Sequence, residues 1–220
     1  MLEQKRVLLT SGPTRAPLDE VRYISNYSTG ELGVQLAHAF LQAGALVTHI
    51  CGAESVSLPN GPGVRYTCHR VDTVPELLRT VEQLLSKQTY EAIVHAMAVL
   101  DFEPVQVASG KVSSAAGEWT ITLRPTPKVI DRIRELAPQA VLVGFKLEVG
   151  ANDVQLARAA RAMAQRCRAD LVVANDLRTI RAGRHTALLI APDGRIVERA
   201  QGKQAIAQAV VRFVEERLGT

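Results

Sequence analysis

A Rossmann-like α/β fold, with a mostly parallel sheet and helices on both faces, is what this 220-residue chain predicts. Three observations carry that expectation. Short apolar runs alternate with segments of helical period, the pattern of a parallel sheet with crossover helices. The run 92–99 is apolar without alternation, as a strand covered on both faces should be. A hydrophobic fraction of 47% and a charged fraction of 22% over this length suffice for one large domain, 1–220, with a well-buried core.

Taken in order, Val7 to Thr10 reads as the first strand. A helix over 29–43 follows, with Leu32, Leu36 and Phe40 on one face, Ser28 and Thr29 as N-caps, and Gly44 as its C-terminal stop. A second strand covers 45–51, and 52–63, with Pro59, Gly61 and Pro62, is a loop. A short β segment over 64–71 leads into a helix carrying Leu77, Leu78, Val81, Leu84 and Leu85, and the buried strand 92–99 comes next. Residues 105–124, rich in Ser, Ala and Gly, form a protruding arm in which 119–123 alternates like an antiparallel strand. Thr126-Pro127 opens a helix through Val129, Ile130, Ile133 and Leu136. Strand 141–146, a helix through Leu156, Ala160 and Ala164, and strand 171–174 follow. Pro192-Asp193-Gly194 joins a hairpin of 186–191 with 195–198, and Ile206, Ala209, Val210 and Phe213 mark the last helix.

Bulk properties narrow the function. The net charge is only +4 and aromatics make up 4%, without the concentrated basic face of a nucleic-acid binder. Cys51, Cys68 and Cys167 are odd in number and widely spaced, which argues against a disulfide framework and a structural zinc site, and for a reducing compartment. The N-terminus runs straight into a strand, leaving no room for a signal peptide, and no apolar run is long enough for a membrane span. A cytoplasmic protein with neither nucleic-acid nor membrane partners is expected.

Ligands of open α/β sheets bind beyond the carboxyl ends of the strands, which puts 11–14, 51–54 and 97–103 on one rim. No G-x-G-x-x-G, Walker or G-x-S-x-G pattern is present, and the five histidines have no metal-ligand spacing. The rim instead offers Lys111, Lys128 and Lys146, one acid, Asp101, the amides of Asn26 and Asn175, and a helix start at 28–30 suited to phosphate. With no obvious nucleophile or base, the set suits a reaction whose substrates supply the reactive groups while the protein positions them and stabilises charge. Nucleotidyl activation of a carboxylate, then displacement by an amine, is such a reaction. Capped turns and solvated lysines are the plainer reading of the same residues.

Thr10-Ser11-Gly12-Pro13-Thr14 and Val21 to Gly30 closely resemble the opening of the phosphopantothenate–cysteine ligase family. His95 to Phe102, Lys111-Val112-Ser113-Ser114, Thr126-Pro127-Lys128, 144–148, 174–176 and Gly202-Lys203 follow in that family's order. The resemblance implies a homodimeric ligase of coenzyme A biosynthesis that joins 4′-phosphopantothenate to L-cysteine. The route it implies is an acyl-cytidylate, with CTP as co-substrate and Mg²⁺. It further implies that Asn26 and Arg22 handle the acyl intermediate and that Lys111, on a mobile loop, closes over it. Gly12, Ser28, Thr29, Gly30, Ala96, Met97, Asp101, Pro127, Lys128, Phe145, Lys146 and Arg166 are implied at the nucleotide. In many bacteria a flavin-dependent decarboxylase precedes this domain. This chain is too short for both, so no flavin is expected. Glu31, Leu100 and Ala162 depart from the family pattern and bear on the choice of CTP over ATP. A nucleotide-binding relative that has lost catalysis is the alternative; an NAD(P) enzyme is disfavoured by the missing glycine fingerprint.

Overall fold

The computed structural model describes residues 1–59 and 65–219; Asn60 to Gly63 of the expected loop 52–63 and Val64 of the expected β segment lie outside them. Along the chain run β1 (Arg6–Ser11), β2 (Arg15–Pro17), β3 (Tyr23–Ser25), α1 (Glu31–Gln42), β4 (Leu46–Gly52) and β5 (Tyr66–Val71). Next come α2 (Val74–Lys87), β6 (Ala92–His95), β7 (Phe102–Pro104), a 3₁₀ turn (Ser114–Ala116), β8 (Leu123–Pro125) and α3 (Val129–Leu136). The chain continues with β9 (Val141–Glu148), α4 (Asp153–Cys167), β10 (Leu171–Asp176), α5 (Leu177–Arg181), β11 (Thr186–Ile190), β12 (Ile196–Gln201) and α6 (Lys203–Leu218).

Among the described residues the main sheet has the order β12-β11-β10-β9-β6-β1-β4-β5. Strands β5 through β10 in that row are parallel, and β11 and β12 add an antiparallel edge. The chain travels outward from β1 through β4 to β5, then returns to β1's other side with β6. That reversal opens a crevice at the carboxyl ends of β1 and β6, where open α/β sheets bind ligands. The Rossmann-like expectation holds.

Strand alternation feeds two separate cores. Leu8, Ile93, Leu142 and Val172 pack with Leu77 and Val81 of α2, Ile130 and Ile133 of α3, and Leu156 and Ala160 of α4. Val7, Leu9, Val94, Val143 and Val173 face the other way, against Leu36 and Phe40 of α1 and Ile206, Val210 and Val214 of α6. Burying both faces is what makes these strands read as unbroken apolar runs.

Several local expectations need correction. Gly30, at φ +79°, is the N-cap of α1, in place of Ser28 or Thr29; the Thr29 hydroxyl reaches only the Glu31 amide, at 3.4 Å. The regular strand in 92–99 stops at His95, and Ala96 to Ala98 run on beside Gly12 and Pro13 through the bonds Ala96 N–Thr10 O and Ala98 N–Gly12 O. Pro127 precedes the N-cap Lys128 and lies outside α3, because Thr126 is spent on the neighbouring loop, its hydroxyl donating to Leu100 O and its amide to Asp101 O. Within 119–123 only Leu123 joins a strand, and β8 pairs with β7 alone. Alternation without an apolar layer to cover it does not build a sheet: Trp119, Thr120 and Thr122 remain exposed. The short α5, capped by Asp176, had no apolar period to announce it.

Candidate active site

Three loops meet over the crevice. The first, between β1 and α1, is held close to the sheet by glycines. Gly12, at φ +81°, faces Ser55, whose Oγ would lie 2.4 Å from an added Cβ; at Gly33 an added Cβ would sit 2.0 Å from Ser11 Oγ. No side chain fits either place, so the start of α1 rests directly on the end of β1. The adjoining turn after β4 is gathered by Arg70, whose guanidinium donates to the carbonyls of Gly52, Ala53 and Ser55.

Beneath the rim, Ser11 Oγ lies 2.8 Å from His49 Nε2, and His49 Nδ1 lies 3.0 Å from the Tyr66 hydroxyl. Thr10 Oγ1 and His95 Nδ1 are 2.8 Å apart. Both histidines are buried. Burial pushes His49 down to about 4, with Arg70 adding to the effect, and burial alone takes His95 to about 4. Neutral and enclosed, they are structural groups; the Ser11–His49 pair is sealed under α1 and offers no nucleophile.

At the crevice itself the Asn26 amide donates to the carbonyls of Val99 (3.0 Å) and Ala98 (3.3 Å). Thr14 Oγ1 accepts from the Leu100 amide. Lys128 Nζ stands 2.5 Å from Asp101 Oδ1. The loops after β1 and β6 and the start of α3 are thereby tied into one rim that brings Asn26, Ala96, Met97, Asp101, Pro127 and Lys128 together. Leu100 turns its side chain into the core while its backbone serves this rim, so an apolar residue fits there. Gly144 pairs with His95, which sets Phe145 one step beyond β6, half-buried against the α1–α6 core. Lys146, on the opposite face, pairs with Glu148 at 3.2 Å.

Arg22 and Lys111 form a second group. The Arg22 guanidinium holds Asp19, donates to Val112 O at 2.8 Å and lies over the Trp119 ring, 4.6 Å from its centroid. Lys111 is exposed on the adjoining arm. Arg166, in the last turn of α4, is paired with Asp131 in the first turn of α3, the helix whose N-cap is Lys128. Ala162 lines a groove of about 390 Å³ with Glu148, the partner of Lys146, and with Val149, Gly150 and Arg158.

Asp19 escaped the sequence reading. An acid followed two and three residues on by the amides it accepts, Val21 and Arg22, is an Asx-turn pattern that could have flagged it. Arg22 holds its carboxyl well below the usual range, burial opposing and the amides of Val21, Val112 and Arg22 adding to the effect.

Residues 2–218 match the model of the DNA/pantothenate metabolism flavoprotein C-terminal domain, the DFP family. The chain belongs to that family. Over 217 residues this DFP domain is 40% identical to the coenzyme A biosynthesis bifunctional protein CoaBC of Thermococcus kodakarensis, covering 99% of this chain and 52% of that protein. It is 35% identical over 180 residues to CoaBC of Escherichia coli, covering 80% and 42%. The chain thus spans about half the length of the curated relatives it matches. Among solved structures, the DNA/pantothenate metabolism flavoprotein of Streptococcus pneumoniae superposes with a TM-score of 0.87 at 28% identity, covering 97% of this chain and 99% of that one. A Cab2 mutant in complex with phosphopantothenate-cysteine shares the fold, with a TM-score of 0.79 at 22% identity, covering 97% and 86%. Among the described residues of the DFP domain, no helix is long and apolar enough to cross a membrane.

Proposed function

We propose that this DFP domain is a ligase that condenses 4′-phosphopantothenate with L-cysteine through an acyl-cytidylate, using CTP in preference to ATP. The observation that carries the reading is the 40% identity to a coenzyme A biosynthesis protein across 99% of the chain. The Cab2 complex with phosphopantothenate-cysteine adds a substrate class.

In the first half-reaction a carboxylate oxygen of phosphopantothenate attacks the α-phosphorus of CTP and pyrophosphate leaves. In the second, the amine of cysteine attacks the acyl carbon and CMP departs with the carboxylate oxygen. The nucleotide lies across Gly12, Ser28, Thr29, Gly30, Ala96, Met97 and Phe145, where the helix start and Lys128 face its phosphates. The Asn26 amide nitrogen donates to two backbone carbonyls, those of Ala98 and Val99. Its oxygen is left to accept from the incoming amine. Arg22 and Lys111 offset the negative charge of the activated acid.

Among the described residues no three His, Cys, Asp or Glu side chains converge on a metal-sized space, and Asp101 is engaged by Lys128. In this reading magnesium enters with the nucleotide substrate, carried on its phosphates, since Mg²⁺ ordinarily needs no more than one or two protein carboxylates beside them. A homodimer in solution completes the reading.

Purified protein incubated with 4′-phosphopantothenate, L-cysteine, Mg²⁺ and either CTP or ATP tests it. Pyrophosphate and phosphopantothenoylcysteine should form one to one, faster with CTP. Nucleotide binding without pyrophosphate release would contradict it.

A further inference from the structure

We infer that Asp19 is a positioning residue: it latches the arm around Lys111 to the turn that carries Arg22, and fixes which edge of the Arg22 guanidinium faces substrate. This rests on the function proposed above. The Asp19 side chain is fully buried, and every lone pair it presents is used. Oδ1 accepts from the amides of Val21 (2.9 Å) and Arg22 (2.7 Å). Oδ2 accepts from Arg22 Nε (3.0 Å), Arg22 Nη2 (2.5 Å) and the amide of Val112 (3.1 Å). With nothing left for substrate, it is not catalytic.

An Asx turn needs only Oδ1. Oδ2 does something else: it bonds a segment 93 residues away, next to Lys111. Three more contacts extend that seam. The amide of Ala108 donates to Leu18 O (3.0 Å), that of Glu20 to Gly110 O (3.3 Å), and that of Gly110 to Glu20 Oε1 (3.3 Å). Both neighbours of Lys111 are thus fastened to the turn 18–22, while its own side chain stays exposed. Arg22 is fixed by the same device. Its Nε and Nη2 are spent on Asp19 and Val112, one face lies over Trp119, and Nη1 makes no hydrogen bond among the described residues. One N–H₂ group of known direction is therefore offered to an anion, beside the lysine that the latch holds. The two cations supplied by distant parts of the chain reach the acid together because one buried carboxylate joins them.

The test is Asp19→Asn in the full chain. Asparagine keeps Oδ1 for the Val21 and Arg22 amides but sets an NH₂ against the three donors now bonded to Oδ2, so the turn survives and the latch does not. Amide exchange at Gly110 and Val112 should speed up by about tenfold or more, with the amides of β1 and β6 unchanged. Turnover should fall by about tenfold or more, with KM for CTP within about threefold. Unchanged exchange on the arm, or a loss of turnover that merely tracks faster exchange throughout the sheet, would overturn the proposal. If the variant does not fold, the wild-type chain decides: the Val112 amide should exchange about tenfold more slowly than those of 118–122, and equal rates would overturn the latch. These exchange measurements stand even if the wild-type chain makes no product, a result that would overturn the proposed reaction alone.

Discussion

Glu31, in the first turn of α1, is ion-paired with Lys203, in the first turn of α6, across 172 residues of sequence. Two helix starts thus meet at the rim, one bringing an acid and the other a base. Lys203 holds the Glu31 carboxyl below its ordinary range. The negative charge at the start of α1 is therefore met by a cation from elsewhere in the fold.

Glu31→Gln should tighten nucleotide binding. The substitution leaves Lys203 without its carboxylate and removes an anion from the helix start at which the proposed function seats phosphates. Exposed charges near a helix terminus are worth about 0.3–1 kcal/mol, so calorimetry should show roughly a two- to fivefold gain in affinity, shrinking with salt. Weaker binding would mean that the phosphates lie elsewhere.

Asn26→Asp should bind nucleotide almost normally and fail to turn over. The carboxylate cannot donate to the Ala98 and Val99 carbonyls, so it swings away or repels them, and it places an anion beside the proposed acyl intermediate. A loss of roughly a hundredfold in turnover is expected, with CTP affinity within about threefold. Steady-state kinetics beside a binding isotherm checks this; unchanged turnover would remove Asn26 from the mechanism.

Lys111→Gln separates chemistry from stability. The side chain is exposed and has no ion pair among the described residues, so its removal should shift unfolding by no more than about 0.5 kcal/mol. Turnover should fall by roughly tenfold or more. Equal losses in both measurements would make the lysine structural.

Acid should weaken the fold before the carboxylates titrate. His49 and His95 are held near 4 in the folded chain and return toward 6.5 when it unfolds. Between those values the unfolded chain binds more protons, so stability is full above about pH 6.5 and is lost as pH falls toward 4. At pH 5 the loss should be about 2 kcal/mol for each histidine. Asp19, whose carboxyl is held low by Arg22, contributes in the same direction only at lower pH, below its unfolded value. Denaturant midpoints at pH 7.5 and pH 5 measure the sum; equal midpoints would contradict the burial of both imidazoles.

The sheet was legible because each central strand is buried on two faces and writes an unbroken apolar run, Val7 to Leu9 and Ala92 to Val94 among them. Helix starts were less so. Gly30 caps α1 through backbone conformation, which Ser28 and Thr29 beside it obscure. The arm has no apolar partner layer, so its alternation misled. At the site, Asn26, Asp101 and Lys128 were readable as polar groups at strand ends. Asp19 and the Glu31–Lys203 pair were not, since their meaning lies in contacts with Val112 and between helix starts that no local pattern records. The Arg166–Asp131 pair, which joins the last turn of α4 to the first turn of α3, is likewise a contact that no local pattern records.

The sharpest test of carboxylate activation is isotopic. With the phosphopantothenate carboxylate labelled with ¹⁸O, mass spectrometry of the released nucleotide should find one labelled oxygen in CMP and none in pyrophosphate. Label in inorganic phosphate, or CMP free of ¹⁸O while product accumulates, would contradict the acyl-cytidylate route.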